Sequence, residues 1–122
     1  MSLHSSGEMY LETIYLLTSQ SASVRALDVA EHMGFSKPSV SRALKLLVND
    51  GFITIDKNGY ISLSPAGKDV AGKIFERHTL LTKALTMLGV DAETAAEDAC
   101  RIEHHISDKS VAAIKKYLDS LN

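Results

Sequence analysis

Apolar positions recur at helical spacing through the first fifty residues, then switch to strand-like runs after Gly51. Met9, Leu11, Ile14, Tyr15 and Leu17 predict a first helix over residues 5–19. After the short loop Ser21-Ala22-Ser23, the positions Leu27, Val29, Ala30 and Met33 predict a second helix from Val24 to Met33, with Gly34 as its stop. Ser36 is a good N-cap, and Pro38 falls in the first turn, where its missing N–H costs nothing. A third helix therefore covers Lys37–Asn49, burying Val40, Ala43, Leu44, Leu47 and Val48. Phe52–Ile55 and Tyr60–Leu63 are β-rich runs on either side of Asp56-Lys57-Asn58-Gly59, and Asn-Gly signals a hairpin turn. Ser64-Pro65 opens a long helix to about Leu88, broken at Gly89. Asp91 caps a fifth helix over 92–105 and Ser107 a sixth over 108–121.

This order predicts a mainly α chain with one small β-hairpin. Two short helices joined by Gly34-Phe35-Ser36-Lys37 and followed by a hairpin make a winged helix-turn-helix. The remaining helices form a second, helical domain. The expected division is 1–70 for the winged helix-turn-helix and 71–122 for the helical domain, which suits a chain of 122 residues.

Composition adds bounds rather than a direction. The chain is 45% hydrophobic and 23% charged, ordinary for a globular protein. Its apolar runs fall far short of a bilayer span and no secretory segment stands out, so no membrane partner is expected. Its one cysteine allows no intrachain disulfide and fits a cytoplasmic location.

Charge distribution says more than the net charge of −2. Between Gly34 and Lys73 there are six Lys/Arg against three Asp/Glu, whereas acidic residues gather near Glu8 and Glu12 and from Asp91 to Glu103. On the third helix, the face opposite the core carries Lys37, Ser39, Ser41, Arg42 and Lys45. Its N-terminal Ser36, Lys37, Pro38, Ser39 and Arg42 are placed to enter a major groove first. Arg42 suits a guanine, the serines suit phosphates or base edges, and Pro38 suits a thymine methyl. Lys57 at the wing tip is placed for a phosphate or the minor groove. A solvated basic face explains a lone helix of this kind, but the turn and wing in the right order favour double-stranded DNA.

Cys100-Arg101-Ile102-Glu103-His104-His105 carries the other chemistry. Cys100, Glu103 and His104 stand at i, i+3 and i+4, so on a helix they share one face, although His105 fits the spacing equally well. A mixed S/O/N donor set suits a borderline cation such as Fe²⁺ rather than Mg²⁺ or Ca²⁺. Three donors on one face do not close a coordination sphere. Met9 and Glu12, one turn apart on the first helix, and His78, within the fourth, are the candidates to complete it.

Five segments also bear a family resemblance: Glu8-Met9-Tyr10-Leu11-Glu12-Thr13-Ile14-Tyr15, Ser36-Lys37-Pro38-Ser39-Val40-Ser41, Leu63-Ser64-Pro65-Ala66-Gly67, Arg77-His78-Thr79-Leu80-Leu81 and Ala99 to His105. In order and across nearly the whole chain, they resemble the diphtheria-toxin-repressor family of metal-activated repressors, with its DtxR-like iron and MntR-like manganese branches. The resemblance is to a short form that lacks the SH3-like domain of iron-branch members. It implies a primary iron-type site at Met9, Cys100, Glu103 and His104. The manganese branch has Asp where Met9 stands and Glu where Cys100 stands, so this chain has the softer donors at both positions. Glu12 is similar to the manganese branch, implying a second site through Glu12, His78, Cys100 and Glu103. The iron branch's ancillary Glu and His are replaced by Thr82 and Ala96.

The expected function is therefore that of a metal-activated repressor of iron or manganese homeostasis genes. Fe²⁺ is the first expectation and Mn²⁺ the alternative. A homodimer is expected because one helix-turn-helix rarely gives enough contact for specific repression, with apolar residues Leu80, Leu81, Ala84, Leu85, Leu88, Ile114 and Leu118 available for its surface. The rival is a winged-helix regulator that senses a small organic ligand. An enzyme is not expected, since no HExxH motif, nucleophile elbow or phosphate-cradling glycine loop is present.

Overall fold

The computed structural model describes residues 5–121, so the extreme ends of the expected domain ranges lie outside the described residues. The elements are α1 (Ser5–Gln20), α2 (Ala26–Met33), α3 (Lys37–Asn49), β1 (Ile53–Ile55), β2 (Ile61–Leu63), α4 (Pro65–Met87), α5 (Ala92–Ile102) and α6 (Asp108–Ser120). The chain divides into two compact units, the first ending at Gly72 and the second beginning at Lys73. That division falls within α4.

In the first unit, Leu11 and Ile14 of α1, Val29 of α2, Val40, Leu44 and Leu47 of α3, and Ile53 and Ile61 of the hairpin form one buried cluster. Ala71, near the division, belongs to the same cluster. Helix α3 starts and ends where its cap and apolar period put it. The Ser36 side chain accepts the Ser39 N–H, and Pro38 stands in the first turn.

Helix α2 begins two residues later than the pattern predicts, at Ala26 rather than Val24. Val24 is buried, and its carbonyl accepts the Ile61 N–H of β2 at 2.8 Å. A carbonyl committed to the wing cannot open a helix, so Arg25 becomes the N-cap and its N–H is satisfied by Asp28 Oδ2 at 2.8 Å. Val48, expected in the core, is 39% exposed, because the buried stripe of α3 ends with Leu47.

The wing is a two-stranded antiparallel hairpin that pairs Ile53 with Leu63 and Ile55 with Ile61. Asp56 organises its turn, accepting the N–H groups of Asn58 at 2.9 Å and Tyr60 at 3.0 Å through Oδ1. Among the described residues only glycines take positive φ, and Gly59 does so at 84°. Asn58 thus stays at negative φ, and the turn is not the mirror-image form that Asn-Gly most often signals. Behind the wing, Gly67 lets α4 approach β1, since a Cβ there would stand 2.0 Å from the Phe52 carbonyl oxygen.

In the second unit, α5 and α6 start at well-formed caps, where Asp91 and Ser107 accept the N–H groups of Thr94 and Ser110. The hydrogen bonds from Thr94 hold the Asp91 carboxyl below its ordinary pKa. Ile74, Leu81, Ala95, Ala99 and Leu118 are buried. Leu81 and Leu118 are thereby committed to the interior rather than to a dimer surface. Leu88 is 81% exposed, and an apolar groove of about 370 Å³ runs past Ala84, Met87, Leu88, Ile114, Tyr117 and Leu121.

The fifth helix stops at Ile102, three residues short of the expected 105. The N–H groups of His105 and Ile106 both turn back to the Ile102 carbonyl, at 2.9 and 3.0 Å. Ser107 must be extended to cap α6 (φ −72°, ψ 155°), so the chain has to leave the helix before it.

Two glycine substitutions in α4 test this packing in opposite directions. Gly67→Ala forces a methyl against a backbone carbonyl and is expected to lower unfolding free energy by about 1–3 kcal/mol. Gly72→Ala meets no heavy atom within 4 Å. It is expected to raise unfolding free energy by about 0.5–1 kcal/mol, because alanine is the better helix former. Urea denaturation of both variants beside the wild type reads the two signs.

Candidate metal centre and nucleic-acid interface

In the second unit the chemistry gathers around Glu103. This carboxylate is completely buried at the C-cap of α5. Its Oε2 lies 2.9 Å from His78 Nδ1 on α4. Which group supplies the proton of this contact depends on the His78 tautomer. A carboxylate paired in this way commonly orients a metal-binding imidazole.

The other oxygen, Oε1, takes no hydrogen bond among the described residues, and His104 Nε2 stands 3.3 Å from it. A buried carboxylate oxygen with no proton donor is costly, and it invites a cation. Ligand atoms about 2.1 Å from one first-row cation stand roughly 3.0–3.4 Å apart, so the Oε1–Nε2 spacing suits such an ion. Nitrogen and oxygen donors together fit a borderline divalent metal. The residues present therefore fit a transition-metal ion.

Of the six candidate ligands, His78 and His104 each stand against Glu103 within this unit, on different carboxylate oxygens. Cys100 lies half-buried in the last turn of α5, one turn before Glu103. His105 is exposed, whereas the His104 side chain is only 3% exposed and stands against Glu103. Glu103 and His104 are not in the body of a helix as their spacing suggested. They sit in the turn after it, where a C-cap and a non-helical residue hold them. Met9 and Glu12 belong to the first unit, one turn apart on α1, with Met9 36% exposed and Glu12 half-buried.

What fixes that turn is Arg77, a residue the pattern of donors did not single out. One guanidinium nitrogen donates to the carbonyls of Glu103 (3.2 Å) and Ile106 (2.7 Å), and the other pairs with Asp108 at the start of α6. Helix ends leave carbonyls without partners, and a planar cation with several donors answers more than one of them at once. The available signal was its position, immediately before His78 on α4 and across from a helix end rich in ligands.

In the first unit, every DNA-reading candidate on α3 except Ser39 is exposed, and Ser39 is half-buried. Ser36, Ser39 and Arg42 form a chain along one face. Ser36 Oγ and Ser39 Oγ are 2.9 Å apart, and Arg42 Nη2 stands 3.5 Å from Ser39 Oγ. Lys37, Pro38, Ser41 and Lys45 are exposed on the same helix, and Lys57 is exposed at the wing turn. Ser41 and Lys45 share a shallow cleft with Ala26, Leu44, Val48 and Ile55, so the cleft joins the outer face of α3 to the wing.

Comparison with known proteins gives two family matches that divide the chain between them. Residues 2–61 match the family described as iron dependent repressor, N-terminal DNA binding domain. Residues 64–122 match the iron dependent repressor, metal binding and dimerisation domain. An HTH-type transcriptional regulator MntR of Lysinibacillus sphaericus is 35% identical over 109 residues, which are 89% of this chain and 78% of that protein. The diphtheria toxin repressor of Corynebacterium diphtheriae is 29% identical over 116 residues, 94% of this chain but 51% of its own length. Among solved structures, the manganese regulator SloR is similar with a TM-score of 0.81 and 28% identity, covering 98% of this chain and 55% of that one. The chain thus spans about half the length of the latter two. Among the described residues, no helix is long and apolar enough to cross a membrane.

Arg77→Ala tests the support of the Glu103 turn. Losing charge-assisted bonds to Glu103, Ile106 and Asp108 is expected to cost about 2 kcal/mol of unfolding free energy. Arg77→Lys is expected to recover only part, because an ammonium cannot bridge the carbonyls and the carboxylate in one plane. Urea titration in chelator reads stability, and Co²⁺ absorption or calorimetry reads an accompanying loss of metal affinity. Wild-type values for Arg77→Ala in both assays would show that the turn holds itself.

Proposed function

The chain belongs to the iron-dependent repressor family, and from that premise we propose that it is a homodimeric, metal-activated repressor of iron or manganese homeostasis genes. Residues 1–70 read double-stranded operator DNA in the cytoplasm, and residues 71–122 bind metal and dimerise. Fe²⁺ is the preferred activator, with Mn²⁺ as the alternative. One observation carries the metal half of this reading. A wholly buried carboxylate, Glu103, has one oxygen held by His78 and the other beside His104 without a hydrogen bond.

The proposed donors are Met9 and Glu12 from α1, with His78, Cys100, Glu103 and His104 from the second unit. A divalent cation bound by them would supply positive charge beside the buried Glu103 carboxylate. Glu103 is the shared acceptor, and His78 is oriented by it. Met9 and Glu12 enlist the helix that leads into the DNA-reading elements, so the state with these donors gathered is the state with α1 ordered. A twofold dimer fills two half-sites in successive major grooves only when its recognition helices stand at the right separation. Without metal, the DNA-competent arrangement of α1 is ordered at the expense of DNA affinity.

On each α3, Arg42 reads a base, while Ser36, Lys37, Ser39, Ser41 and Lys45 set register through phosphates and base edges. Pro38 or the Ser39 methylene meets a thymine methyl, and Lys57 reaches a phosphate or the minor groove from the wing. Coupling between metal and DNA is reciprocal and typically about 1–3 kcal/mol, or roughly 5–150-fold in operator affinity.

Thiolate and thioether donors are softer than carboxylates and favour Fe²⁺ over Mn²⁺. Operator binding titrated anaerobically with each ion is expected to give half-saturation at lower free Fe²⁺ than Mn²⁺. Met9→Asp combined with Cys100→Glu is expected to reverse that order, and an unchanged order in the double variant discards the ligand assignment. DNA binding that survives exhaustive chelation at full strength removes the metal from the mechanism altogether.

A further inference from the structure

Arg25 stands outside the third helix and the wing tip, and no role has been given to its side chain. It is exposed at the N-cap of α2. Its guanidinium carbon lies 4.7 Å from the centre of the Tyr60 ring. Tyr60 is itself fixed at the base of the wing turn, where its N–H donates to Asp56 Oδ1 and its carbonyl accepts from the Asp56 N–H at 3.1 Å. The cation is therefore parked between α2 and the wing by a ring that the wing holds in place. Among the described residues the Arg25 guanidinium forms no ion pair.

The position matters as much as the contact. Ala26, the next residue, lines the cleft shared by Ser41, Lys45 and Ile55. Arg25 is thus adjacent to the cleft that joins the outer face of α3 to the wing. An arginine held over an aromatic face spends no N–H donor on a carboxylate. Its donors remain available for an acceptor that arrives from solution, and its planar fork matches a phosphate.

We infer that Arg25 is a DNA-backbone contact, and that Tyr60 is the residue that positions it on a phosphate flanking the bases met by α3. This rests on the DNA-binding reading of the first unit. The contact adds affinity without sequence preference, because a phosphate carries no base identity. Ring stacking removes much of the freedom that an exposed arginine would lose on docking. The bland alternative is that the pair only staples α2 to the wing.

Fluorescence anisotropy separates the two, with the full chain, saturating metal and two duplexes of equal length. One carries the region upstream of the chain's own coding sequence, and the other is random in sequence. Arg25→Ala is expected to weaken both by the same several-fold factor and to reduce the slope of log affinity against log salt by about 0.9, one phosphate contact. Arg25→Lys is expected to keep the wild-type slope. Tyr60→Leu retains the charge and is expected to lower affinity with the slope intact, while Tyr60→Phe is expected to match the wild type.

Circular dichroism melts accompany each variant. An Arg25→Ala protein that melts early but keeps the full salt slope is a staple variant, and the inference falls. A loss confined to the upstream duplex makes Arg25 a base reader and overturns the phosphate assignment. If the wild type binds neither duplex with any metal, the DNA-binding reading itself fails, a result distinct from failure at Arg25 alone.

Discussion

A carboxylate removed from water must find its charge answered, and in this chain Glu103 is that group. It lies at the end of a helix with no solvent exposure, beside two imidazoles, and only one of its oxygens is engaged by a hydrogen bond. A buried charge that is half satisfied is expensive, and simple packing gives no reason to retain it. The expense becomes an asset if the deficit is the binding energy for a cation. The features around it serve that deficit. His78 pairs with one oxygen, and Arg77 fixes the backbone from which Glu103 and His104 project.

The fold that presents this group was largely legible in the sequence wherever local chemistry and periodicity agreed. Helix α3 is the clearest case. Ser36 caps it, Pro38 opens it, and Val40, Leu44 and Leu47 repeat at the spacing of one buried face. The same agreement gave the fifth and sixth helices their starts at Asp91 and Ser107. Where the expectations missed, a contact distant in sequence had overruled local preference. Val24 suits a helix by its neighbours, but its carbonyl is claimed by Ile61, thirty-seven positions away. The apolar period includes Val48, yet the residue is left 39% exposed.

The same distinction governs the candidate site. Spacing alone put Cys100, Glu103 and His104 on one helical face, an idealisation that the structure corrects in their setting. The helix ends at Ile102, so Glu103 and His104 owe their directions to a turn rather than to helical periodicity. Spacing also left His104 and His105 equivalent. Only burial separates them, and burial is a property of the whole unit that no local pattern contains. Arg77 was invisible for a related reason. An arginine on a helix is ordinary, and its importance comes from two carbonyls and a carboxylate lying 26 to 31 positions away.

Selectivity among metals follows from differences in affinity rather than from the strength of any one donor. A site of carboxylates and imidazoles accepts most first-row divalent ions in an order set by the metals themselves. Each thiolate or thioether added to it raises the affinity of softer ions more than that of Mn²⁺. The proposed donor set would hold both tendencies, with Met9 and Cys100 on the soft side and Glu12, Glu103 and two histidines on the harder or borderline side. A mixed set of this kind suits a sensor better than a scavenger. Its response must saturate near the working concentration of one ion without being captured by every tighter-binding metal, and hard donors moderate the affinity that sulfur alone would confer. In the proposed site the buried Glu103 would enforce that compromise, because its charge would have to be answered whichever ion arrived.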